Sequence, residues 1–63
     1  MTQKELLYVE DAIGHESNII AMLEVTINSL EDEKLVSFIG KELKEHQTMK
    51  EKLMKKLEEL ANE

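Results

Sequence analysis

Cysteine, proline and tryptophan are all absent from this chain, and only two glycines occur in its 63 residues. Without cysteine there is no disulfide, no metal-finger spacing and no reactive thiol to staple or activate a small fold. Without proline nothing interrupts a helix from within, and abundant Glu, Lys and Leu favour long helices. Aromatic surface is scarce, since Tyr8 and Phe38 are the only rings. Positive charge is in the minority. Eight basic side chains face 14 acidic ones, for a formal net charge of −6. That balance argues against nucleic acid and against an acidic membrane surface as partners. No apolar run approaches the length of a membrane span, and the first residues carry no basic-then-apolar signal, so a soluble cytoplasmic protein is expected. No Ser/His/Asp arrangement and no glycine-rich phosphate loop is present, which leaves a hydrolase or nucleotide enzyme without a physical basis.

What the sequence does contain is two amphipathic stretches. Upstream, Leu6, Val9, Ile13, Ile20, Leu23, Ile27 and Leu30 recur at heptad a and d positions, with Glu16 also at a d position. Downstream, Val36, Ile39, Leu43, Leu53, Leu57 and Leu60 do the same, with His46 and Lys50 completing the row. The second register is offset from the first by two residues. Coiled coils absorb insertions of three or four, so an offset of two implies a chain reversal. The spacing therefore predicts an all-α antiparallel hairpin: helix 1 over about 3–30, a tight turn near 31–33, and helix 2 over about 33–61. Thr2-Gln3-Lys4-Glu5 matches the capping box that opens a helix. Asp32 suits the start of the second helix, with Ser29 as a rival cap. Gly14 and Gly40 sit inside the helices, as tolerated surface glycines or as points of close backbone approach.

Both apolar stripes are wider than a two-helix seam needs. Tyr8, Ala12, Ile19 and Met22 extend the first, while Leu35, Phe38, Met49 and Met54 extend the second. Leu7, Ala21 and Val25 lie off the first stripe altogether. A stripe of this breadth suits a helix with two neighbours. A lone hairpin of this size has a thin core, so the expectation is a homodimer closing into a four-helix bundle. An unrelated protein supplying a helix to the exposed face is the other partner considered. Met22, Met49 and Met54 read as core filler.

Folding at the turn matches positions whose numbers sum to about 66, and apolar then meets apolar in nearly every layer. The exceptions fall together: Glu16 opposite Lys50, and Ile20 opposite His46. One reading is a structural polar layer, a Glu16–Lys50 ion pair bordered by His46, which fixes register and oligomeric state. The other is a metal site, because four-helix bundles can hold metal ions on inward carboxylates and imidazoles. A dimer would present Glu16 and His46 twice, with Glu42 one turn before His46. His15, just off the seam, reads as a solvated histidine.

The stretch Glu31-Asp32-Glu33-Lys34-Leu35, followed by Phe38 and by Lys41-Glu42-Leu43-Lys44-Glu45-His46, resembles the second helix of rubrerythrin-type ferritin-like proteins. Glu10-Asp11-Ala12-Ile13-Gly14-His15-Glu16, followed by Leu23, resembles small ferritin-like proteins of spore-forming bacteria, some labelled spore coat proteins. The resemblance implies half-bundle architecture and a spore-associated structural role. It also implies, as an alternative, iron, zinc or manganese held by Glu16, Glu42 and His46. The chain departs from the family pattern at Leu43, where a carboxylate belongs three residues before the histidine. Lys50 departs too, by placing positive charge on the same face.

Overall fold

A computed structural model describes residues 1–62 and contains two helices, α1 (Gln3–Asn28) and α2 (Glu33–Ala61). They lie side by side as a hairpin with extents of 47 × 15 × 11 Å. No strand occurs among the described residues.

Local chemistry fixes each helix end. Thr2 is extended, its hydroxyl accepts from the Glu5 backbone N–H at 3.1 Å, and Glu5 Oε1 accepts from the Thr2 N–H at 2.8 Å. The capping box is therefore complete, and those bonds hold the Glu5 carboxyl below its ordinary value of 4.5. At the start of α2, Asp32 Oδ1 accepts from the backbone N–H groups of Lys34 and Leu35 at 2.9 and 3.0 Å. Asp32, not Ser29, is the cap.

Helix α1 stops at Asn28, two residues before the periodicity runs out at Leu30. Thr26 Oγ1 donates to the Met22 carbonyl and Ser29 Oγ to the Val25 carbonyl, each at 2.8 Å. The Ser29 N–H tightens onto the Thr26 carbonyl at 3.0 Å. The same back-bonding occurs at Ser17, whose hydroxyl donates to the Ile13 carbonyl at 3.1 Å in mid-helix, so these bonds accompany the helix end without setting it. Because Asp32 must be extended to cap the next helix, residues 29–32 form the turn. None of the described residues has positive φ.

The seam runs as the heptads place it. Ile20 is buried at 9% exposure, and the other a and d residues from Leu6 to Leu60 are half-buried, apart from Glu16, which is buried. Gly40 stands against α1, where an added Cβ would meet Ile27 Cδ1 at 3.6 Å, while the position of Gly14 opens into free space. Two helices enclose little. Among the described residues Ile20 is the one apolar side chain in the buried class.

Candidate functional site

Two features stand out: a polar pair in the middle of the seam, and an apolar face that nothing covers. Glu16 comes from the fourth turn of α1, held at a seam position by the same periodicity that buries Ile20. His46 faces it from α2, with Nδ1 2.6 Å from Glu16 Oε2. Their side chains are 12% and 25% exposed respectively. At that separation one hydrogen lies between the two atoms, with the imidazole donating to the carboxylate or a protonated carboxyl donating to the imidazole. Every buried side-chain nitrogen or oxygen among the described residues has a partner.

This corrects the pairing expected from register. Glu16 meets His46, one turn nearer the hinge than Lys50. Glu16 is taken by His46 and Lys56 pairs with Glu59, so Lys50 is in neither contact. An imidazole is short and stays in the seam, whereas a lysine stem carries its ammonium outward to water. Matching positions across the hairpin gave the neighbourhood but could not choose between two candidates one turn apart. Of the three candidate metal ligands, Glu16 and His46 come together and Glu42 does not complete a cluster. No group of three or more His, Asp or Glu side chains is placed to hold a metal among the described residues. His15 is exposed.

The uncovered face is built by helix pitch. At 3.6 residues per turn, Tyr8, Ile19 and Met22 fall on one flank of α1. Leu35, Phe38 and Met49 fall on the flank of α2 that borders the same side of the hairpin. Tyr8, Met22 and Phe38 are 61%, 66% and 59% exposed, and Ile19 is half-buried. The opposite side of the hairpin carries a shorter groove at its open end, floored by Ile13, Met54, Leu57 and Ala61 and edged by Glu10 and Glu58. Leu7 stands apart on the outer surface of α1, while Val25 lies beside Met22 at the edge of the uncovered face.

Compared with protein-family models, curated proteins and solved structures, the chain matches none. The functional reading therefore rests on the molecule's own surfaces. Those surfaces offer apolar area and one polar pair. No helix among the described residues is long and apolar enough to cross a membrane.

Proposed function

We propose that this chain is a small structural or interaction protein that self-associates through its apolar helix faces, two hairpins closing into a four-helix bundle. One observation carries the reading: the isolated hairpin exposes too much surface for its mass. Its accessible area is 5200 Å² for 7.3 kDa. A folded monomer of that mass exposes about 4,200 Å² by the usual scaling. The excess is roughly 1,000 Å² per chain, close to the about 800 Å² that each partner contributes to a standard stable interface. The excess also has the right chemistry, since Tyr8, Met22, Leu35, Phe38 and Met49 are all half exposed or more, within a few per cent. Association burying such a face is driven by the hydrophobic effect. The Glu16–His46 pair then serves register, because a layer that must keep its hydrogen bond disfavours slipped pairings.

Light scattering at micromolar concentration tests this directly. Twice the chain mass is expected, with Phe38→Glu reducing it to one. A folded monomer at those concentrations would refute the reading.

A second reading, a metal-binding ferritin-like half-bundle, draws support from the juxtaposition of Glu16 and His46. A dimer would carry that pair twice in one core. A rise in melting temperature on adding iron, zinc or manganese, abolished by His46→Ala, would favour it over the first.

A further inference from the structure

The methionines stand on the outside of the hairpin. Met22, Met49 and Met54, which read as core filler in the sequence, are 66%, 49% and 50% exposed. None of them falls on the a and d rows that form the seam. They divide between the two sides. Met22 and Met49 lie on the uncovered face with Leu35 and Phe38, whereas Met54 lines the groove on the opposite side with Ile13 and Leu57. Resting on the self-association proposed above, we infer that Met22 and Met49 are oxidation sites on the docking face. Both are open to a peroxide in the single chain and shielded in the pair, and the sulfoxide of Met22 holds the modified chain single.

The reaction needs an accessible thioether and a peroxide. A lone pair on the methionine sulfur attacks one peroxide oxygen, and the S–O bond forms as the O–O bond breaks. The sulfur gives up two electrons, the peroxide takes them, and its second oxygen departs with both protons as water. A flexible apolar side chain has become a polar, chiral one.

Its effect depends on what covers it. In water the sulfoxide oxygen is hydrated, and because the seam holds no methionine the hairpin itself is untouched. Under a second copy that hydration is lost. Around Met22 lie Ala21, Val25 and Thr26. The Thr26 hydroxyl is already committed to the Met22 carbonyl at 2.8 Å, so no local donor replaces the lost water. Met49 differs, since Thr48 and Lys52 share its stretch of surface and can supply a donor. Met22 therefore carries most of the effect. An unpartnered buried polar group weakens an equilibrium by about a factor of ten, and a pair of hairpins would bury two, so the dimer Kd rises about a hundredfold.

Met54 is a built-in reference, matched to Met49 in exposure but placed on the other side. Lysines separate all three methionines, so cleavage after lysine puts each in its own peptide, where mass spectrometry reads the added oxygen. Hydrogen peroxide is applied to the full chain over a range of protein concentrations, with light scattering giving the fraction paired. Where about nine chains in ten are paired, Met22 and Met49 are expected to oxidise about tenfold more slowly than in the single chain, with Met54 unchanged. The oxidised protein should pair about a hundredfold more weakly than the parent. Met22→Leu, which conserves volume, should pair after peroxide nearly as well as before it, and Met54→Leu should give no such resistance. Protection of Met54 in place of Met49, an oxidised parent that pairs undiminished, or resistance conferred by Met54→Leu would overturn the inference and leave self-association standing. An untreated protein that scatters as one chain throughout would overturn both. The protection measurement uses the unaltered chain, so it decides the matter even if a variant fails to fold.

Discussion

Removing the imidazole of His46 strands a carboxylate that the seam keeps from water. With its side chain 12% exposed, Glu16 recovers little hydration when its partner goes. A fully buried pair broken this way costs about 3–5 kcal/mol, whereas an unsatisfied group at a partly wet site costs about 1–3 kcal/mol. Since His46 is itself 25% exposed, the lower range applies to His46→Ala. For a domain of this size 1 kcal/mol moves the melting temperature by about 4–8 °C. The converse, Glu16→Ala, leaves an imidazole that is already partly hydrated, and costs about 1 kcal/mol. Replacing both residues with leucine removes the polar demand altogether. That double variant is expected to equal the parent or exceed it by up to roughly 2 kcal/mol, while losing the device that fixes register. His46→Gln, which keeps a donor near Glu16, should recover part of the loss. The assay is urea unfolding followed by helical circular dichroism, at one fixed protein concentration because dimer stability depends on it. A His46→Ala variant as stable as the parent, or a double-leucine variant weaker than both singles, would refute the reasoning.

Two further outcomes follow from the helix ends and interiors. Asp32→Ala removes the acceptor for two backbone N–H groups at the start of α2 and is expected to cost about 1 kcal/mol. Asp32→Asn should restore most of that loss in the same unfolding assay. Gly14→Ala places a Cβ in open space within a helix and is expected to add roughly 1 kcal/mol of stability. An unchanged or lower midpoint for Gly14→Ala would mean that another backbone packs there in the assembled protein.

The sequence made the hairpin legible because every level agreed. Heptad spacing, the two-residue offset, the Thr2 capping box and Asp32 all pointed to helix, reversal, helix. The end of α1 was less legible. Leu30 continues the apolar period, but Asp32 must be extended to cap α2 and the chain has left the helix by Ser29, a demand that periodicity does not register. In the polar layer the residues were identified and the pairing was not. Glu16, His46 and Lys50 all emerged as exceptions in an apolar seam, yet whether a carboxylate takes an imidazole or an ammonium depends on side-chain reach. Alternation of apolar and polar residues carries no information about reach.

The turn at residues 29–32 uses no glycine, no proline and no left-handed backbone, so nothing in its conformation forbids straightening. Hairpins with such pliant connections are prone to trading arms, each chain opening and lending its second helix to another. Here the offset between the two registers stands in the way. Two positions correspond to about 200° around a helix, so an unbent chain would point the oily stripe of α2 almost directly away from that of α1. A single neighbour could not cover both stripes at once. The irregularity in the heptads thereby disfavours a closed exchanged pair, in which one partner would have to cover both stripes, and it does so through the pattern of the side chains and not through the backbone of the bend.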